Sequence, residues 1–220
     1  MSHQIKGATA VVTGGQRGLG KAIVDELLAR GAAKVYSTSR RPELSTDPRV
    51  VVVEAEVTDG DSVAALAELA SDATIVVNNA GVLGGQSLLS SDLDDVRSVL
   101  ETNFFGALRV ARAFAPQLAG GTLVNIASVL SWLPGYGAYG VSKAALWSAN
   151  NSLHLELQGQ DTNVIGVYLG YTDTSMVADL DVPKNDPADV ARQIADGIES
   201  GAAEVLADEL TRQVRAGVSA

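Results

Sequence analysis

The chain has 220 residues, enough for one domain with a full core, and its 46% hydrophobic and 19% charged content is that of a globular protein. It has no cysteine, which excludes disulfides, thiolate catalysis and cysteine-ligated metals. The net charge of -10 argues against nucleic acid as a partner, since phosphates would be repelled.

Residues 1–7 carry no apolar core of a secretion leader, and no apolar run reaches the ~18 residues of a membrane helix. The expectation is a cytoplasmic protein with no membrane partner. Residues 8–13 form a short β-branched run that reads as a buried strand. A glycine-rich turn follows: Gly14, Gly15, Gln16, Arg17, Gly18, Leu19, Gly20. Residues 21–30 then show helical apolar spacing at Ile23, Val24, Leu27 and Leu28, with Gly31 as the stop. Strand, glycine turn and helix is how a pyrophosphate is held on a helix N-terminus, because glycine lets the backbone come close. The same stretch also spells Gly15-x-x-x-x-Gly20-Lys21, but Ala22 stands where a phosphate-binding loop needs a hydroxyl for magnesium.

Residues 33–38 read as the second strand. It runs into Ser39 and Arg40, where an acid would bind the ribose 2′-hydroxyl and an arginine would suit a 2′-phosphate. Arg17 in the glycine turn adds a second cation. Further strands are expected at 50–54, 73–78, 121–127, 163–168 and 204–207. Helices are expected from Asp59 to about residue 70, from Asp92 to 118 with Pro116 bending its last turn, from 139 to 158, and from Asp186-Pro187 to 200, with a short final helix. Asp59 and Asp61 read as helix-start residues, and no clustered metal site is evident. The alternation implies an α/β fold: a Rossmann-type, doubly wound parallel sheet of six to seven strands with helices on both faces, as one domain over residues 1–220. In such sheets ligands bind beyond the carboxyl ends of the strands, where Gly14, Asn79, Ser128 and Gly170 all fall.

Tyr139 and Lys143 lie four apart, on one face of a helix. An ammonium beside a phenol should pull its pKa down and let it exchange a proton with an alcohol or carbonyl oxygen. His154, farther along this helix, reads as surface or satisfied core. Trp132, Leu133 and Tyr136 stand just before it, either as pocket lining or as packing residues.

The set Thr13-Gly14-x-x-x-Gly18-x-Gly20, Asn78-Asn79-Ala80-Gly81, Asn103, Ser128 and Tyr139-x-x-x-Lys143 resembles the short-chain dehydrogenase/reductase family over residues 7–176. That resemblance implies Tyr139 as general acid or base and Ser128 as hydrogen-bond partner of the substrate oxygen. Lys143 would bind the nicotinamide ribose and lower the tyrosine pKa, and Asn103 would hold a water in a proton relay. It further implies cofactor contacts from Gly14, Gln16, Arg17, Gly18, Leu19, Gly20, Ser39, Arg40, Glu56, Val57, Asn79, Ala80, Gly81, Gly170, Thr172 and Thr174. Glu56 stands where the family often has aspartate, and Leu169 where it often has proline. Ser128 lies about two residues closer to Tyr139 than is usual, so residues 129–138 must form a tighter loop, with Ser131 as the fallback for Ser128. The lid between Thr174 and Asp186 is short, and the family's glycine-rich C-terminal tail is absent.

The function expected is an NADP(H)-dependent oxidoreductase acting on a carbonyl or secondary-alcohol substrate, the alternative being a catalytically silent NADP-binding sensor or scaffold on the same fold. A homodimer is expected, with a tetramer as the alternative. It would form through the two long helices, whose apolar residues Leu108, Val110, Phe114, Leu146, Trp147 and Leu153 point to more than one side.

Overall fold

The computed structural model describes residues 4–218; residues 1–3, the start of the stretch read as lacking a leader, lie outside the described residues. Short β-branched and apolar runs give seven strands among the described residues: β1 (Thr9–Val12), β2 (Lys34–Ser39), β3 (Val50–Glu54), β4 (Ile75–Asn78), β5 (Thr122–Ile126), β6 (Asn163–Tyr168) and β7 (Glu204–Leu206). They form one sheet in the order β3-β2-β1-β4-β5-β6-β7. Every pairing is parallel. Such a sheet buries both faces, which is why its strands are nearly all apolar.

Among the described residues seven α-helices cover it: α1 (Gly18–Ala29), α2 (Gly60–Leu69), α3 (Leu93–Leu100), α4 (Ala107–Phe114), α5 (Gly137–Leu157), α6 (Pro187–Ser200) and α7 (Glu209–Gly217). On one face Ala10, Val12, Ile75, Val77, Val124, Ile126, Ile165 and Val167 pack with Ile23 and Leu27 of α1 and Ile194 and Ile198 of α6. The intervening residues Val11, Val76, Leu123 and Val164 point to the other face, against Val63 and Leu66 of α2 and Val110 and Phe114 of α4. Each fully buried side chain of this size contributes about 1.5–3 kcal/mol. The chain leaves β1 toward β2 and β3, then returns to β4 on the other side. That reversal opens a crevice outside the carboxyl ends of β1 and β4.

Two sequence expectations change. The helix expected from Asp92 to residue 118 is divided: α3 runs into a π-helical turn over Glu101–Gly106, then α4, then a 3₁₀ turn over Ala115–Gln117 that contains Pro116. The long-helix face proposed for dimerisation is also narrower. Val110, Phe114 and Leu146 are buried in the core, and Trp147 packs partly buried on the cluster around Tyr168. Leu108 and Leu153 remain, lining a groove between α4 and α5 with Arg112, Ala149, Ser152 and Glu156.

Aspartates cap α2, α3, α6 and α7: Asp59, Asp92, Asp186 and Asp208 each accept a first-turn amide. Helix α1 has no such cap, since Arg17 at its start makes no side-chain cap bond and its first turn holds no acid. No helix among the described residues is long and apolar enough to cross a membrane.

Candidate active site

The glycine turn is built by close approach. A Cβ at Gly20 would fall 2.1 Å from the Gly14 carbonyl oxygen and 2.5 Å from Asn79 Nδ2. Gly14 and Gly18 have φ of 65° and 52°, the left-handed region that glycine enters freely. The Thr13 hydroxyl accepts the amides of Asn79 and Ala80, each at 3.0 Å. Asn79 Nδ2 returns to the Thr13 and Gly14 carbonyls at 2.9 and 3.2 Å. The ends of β1 and β4 are thereby locked together. The uncapped amides of α1 fit an anionic group such as a pyrophosphate, and nothing acidic in its first turn opposes one. Thr174 reaches this turn from the loop after β6: a Cβ on Gly18 would lie 3.0 Å from its methyl carbon. Leu19 turns its side chain into the core, so only its backbone faces the turn.

At the other end of the crevice Arg17 and Arg40 are exposed, and Ser39 is half-buried at the end of β2. Arg40 Nε lies 3.8 Å from Glu56, a long and mostly solvated pair. Glu56 also accepts the Thr58 amide at 3.2 Å. Val57 is buried and packs on Gly106, and its carbonyl accepts from Arg109 at 3.0 Å. Gln16 does not face the crevice unengaged: its amide pairs both ways with the backbone of Glu43, at 2.6 and 2.9 Å. That pairing fastens the segment after β2 to the glycine turn.

Ser128 sits one residue beyond Ala127, the residue that follows β5. Its hydroxyl accepts the Leu130 amide at 3.2 Å, donates to the Leu169 carbonyl at 3.4 Å, and lies close enough to the Tyr139 phenol to draw its pKa down. The fallback, Ser131, is turned away and donates to the Lys143 carbonyl at 2.9 Å. The tighter loop is made by Gly135 and Gly137 with φ of 126° and 51°, and by Tyr136 in the left-handed region at 56°. A Cβ on Gly137 would meet the Gly85 carbonyl oxygen at 2.0 Å. This turn starts α5 two residues before Tyr139 and places Tyr139 and Lys143 together, with Lys143 Nζ 5.5 Å from the phenol ring centre. Nζ donates to the Ile126 carbonyl at 2.7 Å.

The electrostatics correct the sequence expectation. Burial pushes the Tyr139 phenol up to about 12, with the Ser128 hydrogen bond drawing it down. Burial pushes the Lys143 ammonium down to about 8. In the ligand-free protein burial and the Ser128 hydroxyl, rather than Lys143, set the direction of the phenol's shift. Asn103 is buried by the π-helical turn. Its Oδ1 accepts the Val82 amide at 2.8 Å, and its Nδ2 donates to Val82 and to Ser142, both at 3.0 Å. Both amide hydrogens are engaged, so a water could be held only by the remaining Oδ1 lone pair or by backbone. Gly81 lies against this Oδ1.

Beyond β6, Gly170 and buried Thr172 face the same crevice mouth, with the Thr172 hydroxyl 3.5 Å from the Gly170 carbonyl. Of the three residues before α5, Trp132 is a packing residue. It stacks on Tyr168 at 4.3 Å, with the Arg215 guanidinium 5.5 Å from its ring. Leu133 and Tyr136 are exposed, and Tyr136 meets Tyr171 edge-on at 6.2 Å. Sequence reading missed Asp208 and Asn185, which hold the loop after β6, because nothing local to either marks the contact. It also missed the buried chain Asn78–Asn125–Asn150, linked at 2.9 Å at each step. Three asparagines in otherwise apolar strands and a helix were the available signal.

Residues 8–185 match the family model described as short chain dehydrogenase. The chain is 35% identical over 198 residues to a 1-deoxy-11-beta-hydroxypentalenate dehydrogenase of Streptomyces avermitilis, covering 81% of this chain and 73% of that one. Among solved structures, a short chain dehydrogenase from Burkholderia cenocepacia in complex with NADP is 36% identical, with a TM-score of 0.91 over 97% of this chain and 94% of that one. A short chain dehydrogenase/reductase from Burkholderia phymatum in complex with NAD, 23% identical, shares the fold with a TM-score of 0.84 over 96% of this chain and 93% of that one.

The buried lysine makes a pH prediction. Lys143 is pushed from 10.5 to about 8, so between those pH values the unfolded chain holds the proton that the folded chain has released. Its contribution therefore makes stability rise with pH across that window, by about 3 kcal/mol at most, and leaves stability flat below it. In urea melts, the parent should gain on a Lys143→Met variant between pH 8 and 10.5. Parallel curves for the two proteins would exclude the depressed lysine.

Proposed function

The chain belongs to the short-chain dehydrogenase family and is an NAD(P)-dependent dehydrogenase; from that premise we propose that it is an NADP(H)-dependent oxidoreductase interconverting a carbonyl compound and a secondary alcohol. The observation that carries this reading is the convergence of Ser128, Tyr139 and Lys143 at the strand ends, beside a helix start left free for a pyrophosphate. The Streptomyces relative, named as the dehydrogenase of a hydroxylated compound, supports the substrate class. The Burkholderia structure holding NADP supports the cofactor.

When bound, the nicotinamide supplies or accepts the hydride. Tyr139 handles the proton. A phenol raised to about 12 stays protonated at neutral pH, the form that donates to the substrate oxygen during reduction. Ser128, beside Tyr139, holds the same oxygen and fixes its position. Lys143 is anchored by one N–H on the Ile126 carbonyl and keeps two others that would bind the ribose hydroxyls of a nicotinamide cofactor. Asn103 keeps the backbone of Val82 and Ser142 of α5 in register, and through them the proton relay.

The dimer reading now rests on Leu108 and Leu153 with Arg112 and Glu156, in the groove between α4 and α5. These residues offer apolar contact and opposite charges, a combination that suits a self-complementary interface. Light scattering at micromolar concentration should report a particle of two 22.7 kDa chains, and a single-chain particle would overturn this interface.

Tyr139→Phe keeps the ring and removes the proton donor. Carbonyl-dependent NADPH oxidation should fall about ten-thousand-fold or more, the top of the range for a general acid, with NADPH affinity nearly unchanged. A variant with parent turnover would remove Tyr139 from the mechanism. A parent protein that binds NADPH but oxidises it with no aldehyde or ketone would favour the silent sensor.

Arg40 and Arg17 suit a 2′-phosphate through paired, charge-assisted bonds. Exposure to water trims their combined effect to about 1–3 kcal/mol, or about a five- to hundredfold preference for NADPH over NADH. Arg40→Ala should bring the ratio of specificity constants near unity while leaving NADH use nearly unchanged, and salt should shrink the parent's ratio. Equal specificity constants for the parent at low ionic strength would refute the role given to Arg40.

A further inference from the structure

Four hydrogen bonds end on one carboxylate next to the site. Asp208 Oδ2 accepts the Gly170 amide at 2.6 Å and the Asn185 side-chain amide at 2.9 Å. Its Oδ1 accepts the amide and the hydroxyl of Thr211, both at 2.8 Å. One oxygen caps α7, and the other holds the loop that leaves β6. Asn185 in turn brackets that loop with its main chain. Its amide donates to the Tyr171 carbonyl at 2.8 Å, and its carbonyl accepts the Asp173 amide at 2.9 Å. The lid, residues 175–184, therefore departs and returns at a base closed by Asn185 and pinned by Asp208.

A Cβ on Gly170 would lie 3.4 Å from Asp208 Oδ2, in ordinary van der Waals contact with the carboxylate. Burial pushes the Asp208 carboxyl up, but the donors outweigh it and hold the group below its ordinary value. The same helix has a second tie. Arg215 pairs with Glu204 at 3.0 Å and lies over the ring of Trp132, in the loop that precedes Tyr139. Helix α7 thus touches both the loop before Tyr139 and the loop after β6.

We infer that Asp208 is a positioning residue for the nicotinamide half of the site, fixing residues 170–174 from the C-terminal helix so that Thr172 and Thr174 meet the bound cofactor. The inference rests on the NAD(P)(H)-dependent reading above. Residues 170–174 make few other ties to the sheet, and a displacement of about 1 Å in such a segment can cost about a hundredfold in rate. The adenosine end, at Ser39 and Arg40 beyond β2, is not among the groups that Asp208 bonds and should not respond to it.

Asp208→Ser separates the two oxygens. Serine is a good N-cap, so α7 keeps its start, but its single short hydroxyl cannot also hold Gly170 and Asn185. Binding of NADPH and of 2′,5′-ADP, the adenosine half alone, is measured by titration calorimetry on the full chain. NADPH should weaken about ten- to a hundredfold, the size of a lost charge-assisted hydrogen bond, while 2′,5′-ADP stays within about twofold. Thr211→Val, which removes only the hydroxyl donor on the capping oxygen, should leave both ligands within about twofold of the parent. The inference is overturned if NADPH binds Asp208→Ser as it binds the parent, or if both ligands weaken together, the mark of a general loss of structure. Should the parent prefer NADH, the same comparison is made with NADH and ADP, so a wrong cofactor assignment and a wrong role for Asp208 give different results.

Discussion

No side chain can stand at position 20. A single carbon there would fall within 2.1 Å of the Gly14 carbonyl oxygen, and the rest of the site follows from that contact. It lets the first turn of α1 lie directly on the end of β1. It leaves room for Asn79 to bond back to Thr13 and Gly14, so β4 ends at the same level as β1. With Asn79 fixed, Gly81 and Val82 lie against Asn103, and Asn103 reaches Ser142 one turn along α5 from Tyr139. A chain of short polar contacts thus runs from the start of α1 to the backbone of Tyr139, whose carbonyl accepts from Ser142 at 2.7 Å. Backbone groups anchor most of it, which makes it stiff.

The chemistry depends on what burial does to two groups. Tyr139 and Lys143 are adjacent, yet burial moves their proton affinities apart, the phenol up and the ammonium down. A protonated phenol and a lysine near the edge of its titration are suited to passing a proton outward at neutral pH. A bound pyridinium would add positive charge to this pocket and favour the phenolate. In the ligand-free chain Ser128 is the neighbour that draws the Tyr139 phenol down against burial.

Much of the fold was legible. The bounds read for β3, β6 and α6 are the observed ones, because β-branched runs and the Asp186-Pro187 start leave little choice. The glycine turn and the Tyr139–Lys143 pair were legible because both are local spacings. The π-helical turn was not: it adds one residue to a helix, and the apolar pattern on either side of it still looks helical. That insertion shifts the helical phase by about 100°, and Val110 and Phe114 beyond it are fully buried. Asp208 and Asn185 were hidden for a different reason. Their contacts with the loop after β6 cross the end of the sheet, and no short-range pattern encodes a contact between a helix cap and a strand end 38 residues earlier.

The carboxyl ends of β1, β4, β5 and β6 are proposed to form one cofactor site. Amide hydrogen exchange with and without NADPH tests it over the whole chain at once. Protection should appear at residues 14–20, 79–82 and 170–174 and around Lys143, with the amino ends of the strands and the middle of α6 unchanged. Protection confined to the amino ends of the strands, or to the groove between α4 and α5, would contradict the account.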